Sequence, residues 1–237
     1  MAHRLLGLLL PCNCVLCGAS GPELLCPGCR AQFFAAGTAR CPSCANPLPA
    51  ADTAPVPCGR CQADRPAFDA TVAAADYALP VDRLVLQLKF ARQLALARLF
   101  AGLLAEAVLR SGAVPRPALL CPVPLGPQRL AERGFNQALE IARPLGKRLG
   151  IAVAPRLAVR VRETAAQSSM LHGARQANLA RAFAIPERAL VEGRHIGLVD
   201  DVMSSGRTLQ ELAATLKRHG AARVTNYVFA RTPPNTN

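Results

Sequence analysis

The sequence predicts an α/β protein, a mainly parallel sheet flanked by helices and preceded by a small cysteine-rich unit. Three observations carry this. Four Cys-x-x-Cys pairs, Cys14/Cys17, Cys26/Cys29, Cys41/Cys44 and Cys58/Cys61, crowd into the first 61 residues. From residue 67 onward, short apolar runs alternate with longer segments of helical period, the pattern of a parallel sheet with crossover helices. The composition, 51% apolar and 18% charged over 237 residues, suits a chain that buries a core and excludes a disordered one.

Within each cysteine pair two thiolates can point at one ion, and two such knuckles complete a tetrahedral sulfur site. Eight ligands imply two zinc ions, each structural, because four cysteines leave no open coordination position. Gly18, Gly28 and Gly59 sit beside or within knuckles, where the backbone must turn tightly. Consecutive pairing (Cys14/17/26/29 with Cys41/44/58/61) and crossed pairing use the same ligands, and the spacing leaves both open. A disulfide framework fits less well, given the regular spacing and the lack of a secretion signal. An iron–sulfur cluster accepts four thiolates too, but paired knuckles suit zinc better. A redox Cys-x-x-Cys needs a thioredoxin-like βαβ context, which four tandem copies do not have. Metal binding should supply much of this unit's folding free energy, on the order of 10 kcal/mol per site. Cys12 ranks below Cys14 as a ligand, and Cys121, in an apolar run, reads as core.

The N-terminal "MAHRLLGLLL" is too short to span a bilayer and is followed by no convincing cleavage site, so it reads as a short packed helix. No other stretch could span a bilayer, and a cytoplasmic protein is expected. Pro47, Pro49, Pro55, Pro57 and Pro66 punctuate the exit from the cysteine unit, which places a domain boundary near residue 66: a double-ribbon domain over 1–66 and an α/β domain over 67–237.

In the second part, "FDATVAAADYA" reads as a strand, and "VDRLVLQLKF" and "LALARLFAGLLAEAVLR" read as helices stopped by Gly112 and Pro115. "ALLCPVP" is a short strand ended by Pro122 and Pro124. "RGFNQALEIARPLGKRLG" is mostly helical, with Pro144 expected to kink or break it. "RLAVRVRET" reads as a strand entering a loop and "GARQANLARAF" as a basic helix. "HIGLVDDV" is a buried strand, "TLQELAATLKRHG" a helix closed by Gly220, and "RVTNYVFAR" a last strand.

Net charge is +13 and unevenly placed, +2 over residues 1–66 and +11 over 67–237. Such an excess either solvates the surface or meets an anionic partner, a nucleic acid or a phosphate ligand.

The stretch "LVDDVMSSGRT", residues 198–208, bears on that choice. Asp200 and Asp201 end an apolar strand, and in open α/β sheets ligands bind beyond the carboxyl ends of strands. Ser204, Ser205, Gly206, Arg207 and Thr208 form the turn into the next helix, where unpaired N–H groups and hydroxyls can cradle a phosphate. Carboxylates beside such a cradle make sense if the ligand also carries hydroxyls, or a shared Mg²⁺. A phosphorylated ribose has the phosphate, the hydroxyls and the affinity for magnesium. A plain helix cap explains one hydroxyl but not two acids, and the Gly-Lys of a Walker loop is missing. A receiver-type acidic pocket also ends a strand in paired Asp, but it lies early in its domain, whereas here only one strand follows.

The stretch resembles the ribose-phosphate loop of type I phosphoribosyltransferases, which bind 5-phosphoribosyl-1-pyrophosphate (PRPP). Together with "LQLKF", "CPVPLGPQRLAERGFNQA" and "RVRETAAQSSMLHGARQANLARAF" behind cysteine knuckles, the chain resembles the competence protein F (ComF) family over nearly its whole length. The resemblance implies a double zinc ribbon joined to a phosphoribosyltransferase-like fold, and a role in uptake or handling of single-stranded DNA during natural transformation, with a DNA-uptake protein as a partner. It implies that Asp200 and Asp201, the catalytic pair of an active enzyme, contact ribose hydroxyls directly or through Mg²⁺, and that residues 204–208 hold the 5′-phosphate.

"SSGRT" keeps the family's hydroxyls but inserts Arg207, which faces solvent or an anion. Lys89, Arg129, Arg133, Asn136, Gln137, Arg160, Thr164, Gln167, Arg175 and Asn178 match family positions in the basic motifs. The cationic ones would contact pyrophosphate or DNA phosphates. Relatives often have a glycine soon after "LKF", where this chain has Ala91 and Arg92. Phe90 and Phe135 read as packing residues ahead of base-stacking ones.

Two functions stay open. One is a DNA-handling protein with a PRPP pocket; the other is an active phosphoribosyltransferase with an oxocarbenium-like transition state and a base or amine acceptor. A weaker third has the ribbons serving only as scaffold.

Overall fold

The computed structural model describes residues 12–34, 39–49, 56–112, 114–161 and 182–234. In chain order the elements are β1 (Cys12–Asn13), β2 (Ser20–Gly21), α1 (Pro27–Phe34), α2 (Gly59–Ala63), β3 (Ala70–Asp76), α3 (Val81–Phe90), α4 (Ala95–Ser111), β4 (Leu119–Pro122), α5 (Pro127–Arg133) and α6 (Gln137–Leu149). There follow β5 (Ala152–Val153), β6 (Val159–Arg160), β7 (Phe183–Ala184), β8 (His195–Met203), α7 (Arg207–Arg218) and β9 (Arg223–Arg231).

A five-stranded sheet runs in the order β3-β9-β8-β4-β5. Its neighbours pair in parallel, and β8 and β9 hold one register from His195↔Arg223 to Met203↔Arg231. Parallel strands need both faces covered. On one side α4 and α6 pack against the sheet, with Phe100 stacked on Phe229 at 3.6 Å between ring centroids. On the other, Leu209, Leu212 and Leu216 of α7 bury against Ile196, Leu198 and Val224.

The predicted strands and helices of this region are found near their expected places, with two differences. Helix α6 runs through Pro144 without a break. The proline costs about 3 kcal/mol, while burying Ile141, Ala142 and Leu145 against the sheet returns about 1.5–3 kcal/mol for each large side chain. Phe183, expected at the end of a basic helix, instead lies in β7, antiparallel to β6. The rest of that expected helix, the expected N-terminal helix, Thr164, Gln167, Arg175 and Asn178 lie outside the described residues.

Both cysteine ribbons dock on this body. The first inserts Phe34 of α1 beside Phe229, at 6.1 Å between centroids, and pairs Arg30 with Glu106 at 2.8 Å. The second packs Cys41, Cys44, Ala45 and Cys61 into the core on the α7 side. The Pro42 carbonyl accepts from the Thr71 N–H, and Arg40 pairs with Asp76 at 2.8 Å.

Candidate functional site

The cysteines form two separate clusters, Cys14/17/26/29 and Cys41/44/58/61, so the knuckles pair consecutively. Within each, the four sulfurs lie within 4.8 Å of one another. Zinc–sulfur bonds of about 2.3 Å in a tetrahedron need sulfurs a little under 4 Å apart, and Cys17–Cys26 and Cys44–Cys58 already stand at 3.7 Å. Backbone N–H groups aim at the sulfurs: Cys26 N–H at Cys14 Sγ, 3.4 Å, and Cys58 N–H at Cys41 Sγ, 3.3 Å.

Burial opposes ionisation of Cys14, but N–H groups of Cys17, Cys26 and Leu16 outweigh it and bring the thiol down to about 6. Burial, then the neighbouring thiols, pushes Cys29 up to about 12. Each cluster therefore fits one structural zinc ion. Cys12 donates to the Gly21 carbonyl outside the cluster, and Cys121 is fully buried, its pKa pushed up to about 12 by burial.

Knuckle geometry repeats between the ribbons. Gly18 N–H donates to the Cys14 carbonyl and Ala45 N–H to the Cys41 carbonyl, both with left-handed backbone, at φ +75° and +56°. Glycine adopts that conformation freely and alanine does not.

The second centre lies at the carboxyl end of β8. Asp200 Oδ1 accepts from the Asp201 N–H at 2.9 Å, and Asp201 Oδ1 from the Val202 N–H at 2.8 Å. These bonds fix both carboxylates against their own backbone. Asp201 is buried, and its Oδ2 lies 2.8 Å from Lys89 Nζ. That contact is an ion pair without hydrogen-bond alignment, since Oδ2 accepts no hydrogen bond among the described residues. Burial first, and the Asp201 charge second, raise Asp200 from the ordinary 3.8 to about 8, against the pull of Lys89. Asp200 thus favours its protonated form at neutral pH, while Lys89 lies against Asp201.

Beyond the acids the chain turns through Ser204, Ser205 and Gly206 into α7. Gly206 has φ +79°, the left-handed conformation that favours glycine, and a Cβ there would also displace the Met203 methyl, 2.6 Å away. Ser204 and Ser205 are exposed, and no backbone acceptor takes the N–H of Ser204, Ser205 or Gly206 among the described residues. Ser205 Oγ lies 3.5 Å from the Arg207 N–H. Arg207 is exposed and Thr208 half-buried. Free N–H groups and the start of the 12-residue α7 make this turn electropositive despite the nearby carboxylates.

The other expected residues spread outward. Lys89 faces Asp201. Phe90 is 69% exposed, so the packing expected of it is not found; the Arg133 guanidinium lies 5.7 Å from its ring centroid. Phe135 does pack, against the core on the α4 side. Arg129 is half-buried on α5, one turn before Arg133. Asn136 caps α6, its Oδ1 accepting from Ala138 N–H at 2.9 Å and its amide donating to the Val123 carbonyl at 3.0 Å. Gln137 accepts from Arg133 at 2.9 Å. Arg160 lies on β6, 5.5 Å over the Phe183 ring, and Arg175 is outside the described residues. Arg92, soon after the "LKF" motif, has left-handed backbone at φ +54°, a conformation that glycine adopts more freely.

Sequence reading missed Arg231 and Arg60. Arg231 is 2% exposed and donates to the carbonyls of Cys44, Met203, Ser204 and Thr232. Arg60 of α2 donates to the Ser205 carbonyl at 3.1 Å. A cation ending an otherwise buried strand, "RVTNYVFAR", was the available signal for Arg231; Arg60 offered none.

Residues 130–236 match the phosphoribosyl transferase domain family, and residues 5–62 match the double zinc ribbon domain family. The DNA utilization protein YhgH of Salmonella typhi is 40% identical over 195 residues, covering 81% of this chain and 84% of that protein. Competence protein F of Haemophilus influenzae is 32% identical over 178 residues, covering 73% and 78%. The chain belongs to the competence protein F family. A purine phosphoribosyltransferase from Pyrococcus horikoshii is 17% identical, covering 68% of this chain and 77% of that one at a TM-score of 0.34. In this member of the competence protein F family, Asp200, Asp201 and the hydroxyl-bearing turn lie at the end of β8, and the cysteine knuckles lie within the double zinc ribbon match. No helix among its described residues is long and apolar enough to cross a membrane.

Proposed function

We propose that this protein binds PRPP with Mg²⁺ at the carboxyl end of β8 and acts in the handling of single-stranded DNA. One observation carries the first half: fixed carboxylates at Asp200 and Asp201 stand directly before a turn whose three successive N–H groups have no backbone acceptor among the described residues. The N–H groups suit the 5′-phosphate, and the carboxylates suit ribose hydroxyls or the magnesium that accompanies pyrophosphate. Lys89 and Arg133 stand nearby as donors to the pyrophosphate. Isothermal calorimetry with PRPP and MgCl₂ tests this. Binding that is lost in Asp201→Asn supports the reading, and no heat at millimolar ligand overturns it. Pyrophosphate release in the same mixtures, across bases and amines, would extend the reading to a transferase.

A groove of about 1000 Å³ between α4 and α6 supports the second half. Arg98, Arg143, Lys147 and Arg148 line it, all exposed, over a floor that includes Leu94, Ala97 and Pro144. Glu140 offsets Arg143 at 2.9 Å, while Arg98, Lys147 and Arg148 have no ion-pair partner among the described residues. The relatives' names, DNA utilization protein and competence protein F, point to the same class of partner. Single-stranded DNA should bind with steep salt dependence, and the Arg98→Ala/Lys147→Ala/Arg148→Ala variant should lower the log–log slope by about 2. An unchanged slope would remove the groove from the DNA path.

A further inference from the structure

We propose that the second zinc ribbon builds the phosphate cradle, with Arg231 and Arg60 as the positioning residues that connect them. The inference rests on the phosphate-binding reading of the turn and assigns to the ribbon a role that docking alone does not require.

The contacts run in one direct chain. The planar guanidinium of Arg231 donates from Nε to the carbonyl of Cys44, a cysteine of the second cluster, at 2.9 Å. Its other edge donates to the Met203 carbonyl at 2.8 Å and to the Ser204 carbonyl. Arg60, lying between the ligand positions Cys58 and Cys61, takes the next carbonyl, that of Ser205, at 3.1 Å. Three successive carbonyls thus face arginines that the ribbon holds or touches, that of Met203 also accepting from the Thr232 N–H at 3.0 Å.

A trans peptide is planar, with its C=O and N–H pointing in opposite directions. Drawing the carbonyls of Met203, Ser204 and Ser205 to one side therefore turns the N–H groups of Ser204, Ser205 and Gly206 to the other. These three N–H groups have no backbone acceptor among the described residues. The arginines orient the cradle from behind, without needing to touch the phosphate themselves.

Charge links the arginines to the metal. Arg231 is buried and has no carboxylate partner among the described residues. Zinc bound by four thiolates carries a net charge of about −2, which balances Arg231 and Arg60 at close range. Without zinc the knuckle around Cys44 loses the ion that ties it together. The Cys44 carbonyl also loses the knuckle that fixes it.

The first ribbon is the built-in control. It meets the α/β body through Arg30–Glu106 and through Cys14, Leu25, Cys29 and Phe34 packed into the core on the α4 side, and none of its hydrogen bonds reaches residues 203–208 among the described residues. Emptying either site removes one zinc, but only the second should disturb the turn.

The experiment compares full-length wild type, Cys17→Ser, Cys58→Ser, Arg231→Lys and Arg60→Ala. Zinc content, amide exchange of residues 203–208 and calorimetric binding of PRPP with MgCl₂ are measured on each. Cys58→Ser should lose one zinc, exchange faster at the turn and bind about tenfold more weakly. Cys17→Ser should lose one zinc and keep both wild-type values. Arg231→Lys should keep both zincs and still lose about tenfold, because a single ammonium cannot bridge both sides. Arg60→Ala, an exposed position, should fold normally and lose about threefold.

Equal behaviour of the two cysteine variants, or wild-type exchange and binding in both arginine variants, overturns the inference. If wild type binds no PRPP but the turn still exchanges faster only in Cys58→Ser, the ribbon–turn coupling stands and the PRPP reading falls.

Discussion

Replacing Asp200 by asparagine keeps the side chain's shape and removes its charge. In the fold Asp200 titrates at about 8 instead of the ordinary 3.8, raised by burial and then by Asp201. A folded pKa above the unfolded one means that the native state holds the proton more tightly. The resulting stability is fully present below the unfolded value and is lost as pH rises through the folded one. Each unit corresponds to about 1.36 kcal/mol, so the window from pH 5.5 to 8 bounds the loss at about 3.4 kcal/mol.

Asp200 is only partly buried, and screening reduces this to about 1–2 kcal/mol. Asparagine carries no charge at any pH, its Oδ1 can still accept from the Asp201 N–H, and its amide can donate to the Asp201 carboxylate. The Tm of Asp200→Asn minus that of wild type should therefore rise by about 2–6 °C between pH 5.5 and 8.5. Scanning calorimetry without magnesium or PRPP reads this directly. Running both proteins at each pH cancels titration of the zinc ribbons. A difference that stays flat across the range would refute the reasoning. The same variant should bind PRPP more weakly, an exchange of function for stability.

Lys89→Met should cost about 2–4 kcal/mol in denaturant titrations at pH 8, because it leaves Asp201 buried and unpaired; a smaller loss at pH 5 would show the acid escaping by protonation. Gly206→Ala forces a side chain into left-handed backbone and against Met203, and should cost about 1–2 kcal/mol while weakening PRPP binding; unchanged stability would contradict the turn geometry. Metal analysis of the purified protein should find two zinc ions per chain, one for each four-cysteine cluster, and a ratio of one would leave a cluster without its ion.

How much of this was legible in the chain varies with the range of the interaction. The sheet strands and their helices follow local period and stop signals, and "HIGLVDDV" could only be a central strand. The acids and the turn were readable because they lie within nine residues of one another, Asp200 to Thr208. Cysteine pairing was not readable, since spacing alone permits two arrangements and the docking of each ribbon decides between them. Pro144 misled because local cost was weighed without the burial of Ile141 and Leu145. Phe90 misled because apolar residues at a helix end usually pack, and here the helix ends at the site's rim. Arg231 and Arg60 act across sequence separations of 187 and 145 residues, which no local pattern encodes.

Lys89 shows how expectation and structure meet. The sequence placed it as a donor to pyrophosphate, whereas the fold places it on Asp201. On the proposed reading the two describe one residue before and after ligand arrives. With no ligand, Lys89 sits against Asp201 as its counter-ion. PRPP brings several negative charges that a buried, ionised Asp201 would repel, so it must come with a cation that the acids can face. Lys89, no longer needed as the acid's counter-ion and repelled by the new cation, then has its ammonium available for pyrophosphate oxygens a short swing away. A methionine at position 89 would leave neither state balanced, which is why Lys89→Met should weaken both the free protein and its complex, whereas a residue serving only the ligand would weaken the complex alone.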